Sequence, residues 1–264
     1  MRTILIDGDV VAYQFACVAE EAIDWGDEMW TLHADLTKSK SLVASYLEEL
    51  RRLLKADGMI ICLSDTNRGE IFRRKIFPTY KANRKVRKPL VFWALVDWMK
   101  ESFESFARPH LEGDDVLGIL ATSDKIVAGE KVIVSIDKDM KTIPGWLYQG
   151  QKNKHNVPVI MAISKWEADY NHLLQTLIGD VTDGYPGCPG IGPVGAACIL
   201  RLDDDEDRDV LWSRVVAAFE DKGFGSEYAL TQARVARILR ASDYDFEKKE
   251  PILWTPDQPN SYSN

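Results

Sequence analysis

The chain has 264 residues, of which 45% are hydrophobic and 28% charged, and its formal net charge is −8 at pH 7. This composition is typical of a globular protein with room for one large or two small domains. No stretch approaches the ~18 uninterrupted apolar residues of a membrane span. The four cysteines show neither a CxxC pair nor zinc-like spacing, which argues against a zinc site and favours free thiols in the cytoplasm.

The first part of the chain alternates apolar runs with helical patterns. The runs at 4–6, 59–63 and 131–136 predict buried parallel strands. Apolar residues recur every three or four positions over 37–57, which predicts an amphipathic helix, whereas the acidic and aromatic stretch 22–36 predicts a loop or hairpin. This alternation predicts an α/β fold with a mainly parallel sheet and flanking helices.

Further elements follow the second strand. A helix opening at Pro89 is predicted to run through Phe103 and Phe106, and another helix follows residues 112–115. The segments WLYQG and VPVIMAI predict further strands.

From Ser164 onwards the pattern is helical throughout. We predict a boundary near residue 163, which separates an α/β core (1–163) from a helical region (164–264) with a frayed polar tail. The predicted helices of this region span 164–178, 194–201, 208–222 and 226–242.

Carboxylates follow each predicted core strand. In open α/β sheets, ligands bind outside the carboxyl ends of the strands. A single aspartate there is equally well explained as a helix cap or turn residue, but further acids follow in the motifs EGDD and GDVTD. The full set of candidates is Asp7, Asp65, Glu112, Asp114, Asp115, Asp137, Asp139, Asp180 and Asp183.

So many carboxylates could not remain ionised together without cations. Two unit charges 4 Å apart repel by about 4 kcal/mol at an effective dielectric constant near 20. Oxygen-only ligands favour hard divalent ions, so the sequence predicts two Mg²⁺ or Mn²⁺ ions. Two such ions can activate a water and stabilise a leaving oxygen, which indicates phosphoryl chemistry.

The segment 68–88 is strongly basic although the chain as a whole is acidic. It contains one acid, Glu70, against nine cationic residues. Lysine and arginine side chains at this density favour contacts with phosphates. The cations are Arg68, Arg73, Arg74, Lys75, Lys81, Arg84, Lys85, Arg87 and Lys88.

The motifs, taken in chain order, resemble one known family. They are ILIDGD, ICLSD followed by IFRRKIFPTYKANR, LEGDD, SIDKDM, and IGDVTDGYPGCPGIGPVGAA. This order resembles the flap endonuclease family of structure-specific 5′-nucleases, in particular the phage 5′-to-3′ exonucleases and the 5′-nuclease domain of bacterial DNA polymerase I. The resemblance implies a PIN-like nuclease core, a helical region with a helix–three-turn–helix motif, and hydrolysis of DNA near 5′ ends in replication, repair or primer removal.

The resemblance also implies roles for individual residues. Lys81 and Arg84 would contact the scissile phosphate, and Arg73 would lie close to the active site. One metal cluster would comprise Asp7, Asp65, Glu112 and Asp114. The other would comprise Asp115, Asp137, Asp139, Asp180 and Asp183.

DNA contacts are implied for both parts of the chain. Tyr80 would either stack on a substrate base or pack in the interior, and the arch that relatives form would correspond to 83–107, where an apolar helix is more typical of core. The glycine loop 184–197 would hold a duplex phosphate beside a K⁺ ion, although Pro193 and Val194 replace the lysine of many relatives. The implied contact residues are Tyr80, Arg74, Lys85, Lys88, Gly190, Ile191 and Gly192.

Three alternatives remain open from the sequence. IDGDV also fits a haloacid-dehalogenase-like phosphatase with Asp7 as nucleophile and Asp9 as general acid. A PIN-type ribonuclease shares the strand-end acids, and a nucleic-acid-binding module without catalysis would share the basic segment. For a nuclease, the expected partner is DNA with a duplex and a 5′ end, or an RNA–DNA hybrid, bound by a monomer.

Overall fold

The structure is a computed structural model that describes residues 1–201 and 207–257. Its strands are Arg2–Asp7 (β1), Glu20–Asp24 (β2), Trp30–Ala34 (β3), Gly58–Cys62 (β4), Ser105–Phe106 (β5), Glu130–Val134 (β6), Gly145–Lys152 (β7), Pro158–Ile163 (β8), Tyr244–Asp245 (β9) and Glu250–Pro251 (β10). Its α-helices are Gly8–Ala19 (α1), Leu36–Leu53 (α2), Phe72–Ile76 (α3), Phe92–Ser102 (α4), Gly113–Ala121 (α5), Lys165–Ile178 (α6), Pro193–Leu200 (α7), Arg208–Glu220 (α8) and Ser226–Ala236 (α9). Short 3₁₀ helices span Arg68–Glu70, Lys138–Thr142 and Ala241–Asp243.

The central sheet has the strand order β5-β4-β1-β6-β7-β8. All neighbouring strands in it are parallel except β7 and β8, which are antiparallel. The central strand β1 pairs with β4 on one side and β6 on the other, so that Leu5 lies opposite both Ile60 and Ile133. The predicted mainly parallel α/β fold is confirmed.

Helices cover both faces of this sheet. On one face α1, α2 and α4 bury an apolar cluster that includes Ile6, Leu47 and Phe92. On the other face α5 packs over Leu5, and the chain segment with Leu239 joins the same cluster. Because both faces are covered, the core strands are uninterrupted apolar runs. The predicted hairpin is β2–β3, which projects from this body.

The C-terminal helices form a separate apolar cluster. Leu173 and Leu177 of α6 pack with Phe219 of α8 and Ala233 of α9. The predicted helical region is therefore present. In the part of the chain that the structure describes, no helix is long and apolar enough to cross a membrane.

Two predicted helices end earlier than their sequences suggest. The helix predicted over 226–242 ends at Ala236, because Ile238 and Leu239 leave it to pack against the core. Leu239 lies so close to α5 that a Cβ on Gly118 would come within 2.2 Å of its carbonyl oxygen. Similarly, the helix predicted to include Phe106 ends at Ser102, and β5 then pairs with β4. In both cases tertiary contacts override the local helical pattern.

Candidate active site

The carboxyl ends of β1, β4 and β6 meet at one edge of the sheet and bring the predicted acids together. Asp7 ends β1, and Asp137 follows β6, its neighbour in the sheet. The first turn of α5 carries Asp114 at the same edge, where burial and the nearby Asp7 carboxylate both raise the Asp114 pKa well above its usual value. The loop after α6 adds Asp180, whose charge acts on Asp139. Asp7, Asp137 and Asp139 of the predicted strand-end acids are therefore close to one another, whereas Asp65, which follows β4, has other partners.

Four carboxylates at this edge form no ion pair within residues 1–201 and 207–257, and we call them the open carboxylates: Asp7, Asp114, Asp137 and Asp139. Burial and the charges of Asp9 and Asp137 raise the pKa of Asp7 to about 7, although it accepts a hydrogen bond of 2.7 Å from the Ser135 hydroxyl. Burial and Asp137 likewise raise the pKa of Asp139 to about 6. The structure thus concentrates negative charge here, and the nearby Lys81 and Lys138 offset it only in part.

A second group, Glu112, Asp115 and Asp183, is neutralised by cations, and we call these the paired carboxylates. Glu112 accepts hydrogen bonds from Lys81 (2.5 Å), Tyr80 (2.8 Å) and Arg73 (3.1 Å). Burial alone would raise its pKa, but Lys81 and Arg73 lower it to about 2. Glu112 is therefore held ionised by its neighbours.

Asp183 shares two of the same partners. It accepts a hydrogen bond of 3.0 Å from the Tyr80 hydroxyl, and Lys81 Nζ lies 3.4 Å from it. Arg84, whose side chain is half exposed, also binds Asp183. Burial opposes the charge on Lys81, but Glu112 and Asp183 raise its pKa above the usual value. Lys81 and Arg84 thus lie at the site as predicted, with Lys81 also within the field of Asp114.

Arg73 and Asp115 form an internal pair instead of lining the site. Asp115 is fully buried and accepts two hydrogen bonds of 2.7 Å from the Arg73 guanidinium. It also accepts from the backbone N–H of Leu239, and Arg73 donates to the carbonyls of Val235 and Arg237. The expectation that Asp115 is a metal ligand does not fit this arrangement, because its side chain is enclosed and already paired with Arg73. Arg73 lies close to the active site as expected, since it also donates to Glu112.

Asp65 is also turned away from the other acids. Its side chain accepts hydrogen bonds from the backbone N–H groups of Asn67 (3.0 Å) and His110 (2.8 Å), as a turn residue does. Closer to the open carboxylates is Asp9, which accepts from Ser64 and Arg68 and acts on the charge of Asp7. Asp9 has a predicted role only under the phosphatase alternative. Its position two residues after Asp7 is the sequence signal that indicates a place near the site.

Asp180 organises the loop that follows α6. It accepts from the backbone N–H groups of Thr182 (2.7 Å) and Asp183 (3.0 Å), and Lys138 Nζ lies 3.6 Å from it. The next residues contact the basic segment, since the Lys81 N–H donates to the Asp183 carbonyl at 2.7 Å. The loop therefore joins the helical region to the nuclease core at the site itself.

The glycines of the loop divide into two kinds. Gly179 and Gly187 both have positive φ, and a Cβ on Gly187 would lie 2.3 Å from the Gly179 nitrogen, so these two allow the loop to fold on itself. Gly190 and Gly192 have open space where a Cβ would be. Ile191 between them is half-buried. The backbone at 190–192 is thus accessible, as the predicted phosphate contact requires.

The remaining predicted DNA contacts differ in exposure. Lys85 and Lys88 are exposed and Arg74 is half-buried. Tyr80 is only 3% exposed and its hydroxyl binds Glu112 and Asp183, so packing, and not stacking on a base, describes it. In the predicted arch segment, α4 packs into the core, as its apolar pattern indicates.

No three Asp, Glu, His or Cys side chains in the described ranges stand together in an arrangement that would hold a metal ion. Two of the predicted ligands have other partners instead. Glu112 forms an ion pair with a lysine, and Asp65 accepts hydrogen bonds from backbone N–H groups. The donor chemistry nevertheless fits divalent cations, because the open carboxylates offer oxygen atoms only, and neighbouring carboxylates contribute to the raised pKa of Asp7, Asp114 and Asp139.

Comparison with known proteins identifies the family. The family model of the 5′-3′ exonuclease N-terminal resolvase-like domain matches residues 2–155. The chain is 31% identical to an exonuclease of Escherichia phage T7 over an alignment of 287 positions, which covers 96% of this chain and 93% of the relative. A flap endonuclease Xni of Shewanella oneidensis is 31% identical over 49% of this chain and 52% of its own length.

Solved structures show the same fold. A crystal structure of a bacteriophage T5 protein co-crystallised with metal ions has a TM-score of 0.55 at 14% identity, over 89% of this chain and 93% of that chain. The T5 flap endonuclease in a pseudo-enzyme–product complex with DNA and metal ions has a TM-score of 0.54 with the same coverage. The family-model match and the identity to the phage T7 exonuclease show that the chain belongs to the 5′-3′ exonuclease family of nucleases, and its strand-end carboxylates and basic motif agree with this.

Proposed function

We propose that the protein hydrolyses phosphodiester bonds at or near the 5′ ends of DNA with the help of two divalent cations, Mg²⁺ or Mn²⁺. The observation that carries this proposal is the set of open carboxylates beside Lys81, which is itself paired with Glu112 and Asp183. Membership of the 5′-3′ exonuclease family excludes the phosphatase alternative.

The open carboxylates and Asp180 would hold the ions. When bound, two such ions activate a water molecule and stabilise the leaving oxygen of a phosphodiester. Asp7 ends β1 and Asp137 follows the adjacent strand β6, and Asp114 reaches the same edge from α5. Binding of the ions would offset the repulsion between the carboxylates, which contributes to the raised pKa values of Asp7, Asp114 and Asp139, and it would release protons from them.

The cationic residues would position the substrate. Lys81 is oriented by Glu112 and Asp183 and would stabilise charge on the scissile phosphate. Arg84 is more exposed and would bind a phosphate oxygen next to it. Arg73 is buried, and it would act as a positioning residue that fixes Glu112 relative to the α5 N-terminus.

The glycine loop would hold the duplex away from the cut. The backbone N–H groups of Gly190 and Gly192 favour a phosphate oxygen, whereas that of Ile191 donates to the Cys188 carbonyl. Pro193 occupies the first turn of α7, where its missing N–H is not needed. A K⁺ ion bound to loop carbonyls, activity on RNA–DNA hybrids and a monomeric state remain predictions of the sequence.

The test is cleavage of 5′-labelled duplex, nicked, flapped and RNA–DNA substrates with Mg²⁺ or with EDTA. Wild type should cut only with the metal, and Asp137→Ala should abolish cleavage while DNA binding persists. Asp27→Asn is the control, because it removes the charge of an exposed aspartate in the hairpin turn with a residue that tolerates its positive φ of 51°. Cleavage by wild type in excess EDTA would overturn the metal-dependent mechanism.

A further inference from the structure

Asp9 lies beside the open carboxylates, yet the proposed mechanism gives it no part. It occupies the first turn of α1, two residues after Asp7, whose pKa is raised by burial and by the charge of Asp9. One carboxylate oxygen of Asp9 accepts hydrogen bonds from the backbone N–H (3.2 Å) and the hydroxyl of Ser64, and the other accepts from Arg68 (3.0 Å). Asp9 is therefore held by three donors of the protein, one of them a cation.

The Ser64 hydroxyl has a partner on each side. It donates to Asp9 of α1, and it accepts a hydrogen bond of 2.8 Å from the backbone N–H of Gly113, the first residue of α5. The direction of both bonds is fixed, because a backbone N–H can only donate and an ionised carboxylate can only accept. Ser64 itself follows β4 and is only 4% exposed. Asp9, Ser64 and Gly113 thus join the first turns of two helices, and we call them the serine bridge.

Glycines allow the segments that the serine bridge joins to approach closely. A Cβ on Gly113 would lie 3.2 Å from a carboxylate oxygen of Asp9 and 3.5 Å from the Ser64 nitrogen. A Cβ on Gly8, at the start of α1, would lie 2.9 Å from the Cys62 carbonyl oxygen. A side chain at Gly8 would push α1 away from β4, and one at Gly113 would crowd the Asp9 carboxylate. The bridge therefore spans a gap that these glycines keep narrow.

The two helices that the serine bridge joins each carry an open carboxylate beside it. Asp7 caps α1, where it accepts from the Val10 N–H at 3.1 Å, and Asp114 directly follows Gly113 in α5. These acids come from distant parts of the chain, yet burial and the charge of Asp7 raise the pKa of Asp114. Repulsion between the two carboxylates tends to separate the helix termini, and the serine bridge opposes that separation.

We propose that Asp9 and Ser64 are positioning residues, which fix the first turns of α1 and α5 so that Asp7 and Asp114 stand at the spacing that a divalent cation requires. This inference rests on the proposed metal-dependent function and gives Asp9 and Ser64 a role in it. Residues that orient metal ligands without binding the metal typically contribute about 10- to 100-fold to metal affinity. In the competing arrangement, Asp9 itself would be a ligand.

The test is a Mn²⁺ titration of the protein without DNA, in which electron paramagnetic resonance measures the free ion. Asp9→Ala and Ser64→Ala should each weaken Mn²⁺ binding by about 10-fold or more. The double variant should bind about as weakly as either single variant, because both changes break the same bridge. Asp9→Asn retains an oxygen that accepts from Ser64, so it should keep most of the affinity that Asp9→Ala loses.

Ser39→Ala is the matched control. Ser39 is buried in α2, and its hydroxyl donates to the Asp35 carbonyl at 2.6 Å. This variant should bind Mn²⁺ as wild type does, and an equal loss of affinity would overturn the proposal. Circular dichroism establishes that each variant is folded. If Ser64→Ala does not fold, the comparison of Asp9→Ala with Asp9→Asn decides the question, because the Asp9 side chain is 20% exposed and tolerates truncation better.

Three other results would also overturn the proposal. They are unchanged Mn²⁺ affinity in Asp9→Ala, losses that add up in the double variant, and an Asp9→Asn protein that binds as weakly as Asp9→Ala. The last result would identify Asp9 as a metal ligand. Failure of wild type to bind Mn²⁺ would reject the proposed metal site together with this inference, whereas normal binding by wild type and by Asp9→Ala would reject this inference alone.

Discussion

The open and the paired carboxylates lie at one edge of one sheet, yet their surroundings are opposite. Asp7 is buried and its pKa is raised to about 7, whereas Glu112 is buried and its pKa is lowered to about 2. Burial raises the pKa in both cases. The difference is that Lys81 and Arg73 bind Glu112, while the neighbours of Asp7 are Asp9 and Asp137.

The contrast separates two uses of the same residue type. The paired carboxylates all have cationic partners within the protein, and two of them, Glu112 and Asp183, fix the cations that would contact the substrate. The open carboxylates form no ion pair within the described residues, and a divalent cation would supply the missing positive charge. A set of acids adjacent in sequence, such as 112–115, can therefore contain both kinds, because successive helical residues point about 100° apart.

The largest expected effect comes from neutralising an open carboxylate. Asp114→Asn should abolish cleavage with Mg²⁺, and it should raise the melting temperature of the metal-free protein because it relieves repulsion with Asp7. Cleavage assays and thermal melts in EDTA measure the two effects. Asp27→Asn, which removes the same charge from an exposed turn, should change neither, and a destabilised Asp114→Asn protein would contradict the distinction between the two groups.

Removal of a charge from a paired carboxylate's ion pair should lower the stability of the protein instead of raising it. Arg73→Met leaves Asp115 buried without its partner, so the free energy of unfolding should fall by about 3–5 kcal/mol. The surface pair Arg52–Glu48, with Arg52 73% exposed, provides the control. Arg52→Met should cost less than about 1 kcal/mol. Urea unfolding measures both, and equal losses would show that the Arg73–Asp115 pair is no stronger than a surface pair.

The pH dependence of stability should be the smallest effect and should again separate the groups. The folded-state pKa of Asp7, about 7, is above the ordinary value of 3.8, so its stabilising contribution is complete below pH 3.8 and is lost as the pH rises towards 7. The folded-state pKa of Glu112, about 2, is below the ordinary value of 4.5, so its contribution is complete above pH 4.5 and is lost as the pH falls towards 2.

Metal-free protein should therefore be most stable in mild acid and lose stability between about pH 4 and 7. Urea unfolding across this range, with and without Mg²⁺, measures the effect. Mg²⁺ should remove the loss of stability towards pH 7 and leave the loss of stability below pH 4.5 unchanged. A loss towards pH 7 that persists at saturating Mg²⁺ would contradict the assignment of Asp7 to the metal site.

The helix boundaries show where local sequence patterns lose their predictive value. Residues 226–242 have a helical pattern throughout, but the chain leaves the helix after Ala236. Arg237 binds Asp243 at 2.8 Å, and Arg240 binds Asp169 of α6 at 2.7 Å, all in the interior. These contacts join residues that are distant in sequence or separated by a turn, so the periodicity of a single segment cannot reveal them.

The sequence by itself determined the parallel sheet and the edge at which its acids meet. Short apolar runs separated by helical segments can bury both faces only in a sheet covered on both sides, and parallel strands place Asp7 and Asp137 at one edge. It also determined the oxygen-only donor chemistry of that edge, since the residues after the strands are aspartates.

Only the tertiary structure decided which acids are open and which are paired. Asp115 meets Arg73 across 42 positions and Glu112 meets Lys81 across 31, through the packing of α3 and the basic segment against α5. The protonation behaviour of a carboxylate depends on the charges within a few ångströms of it, and those charges come from remote parts of the chain. The sequence therefore identifies the acids, but only the fold determines which cations lie beside them.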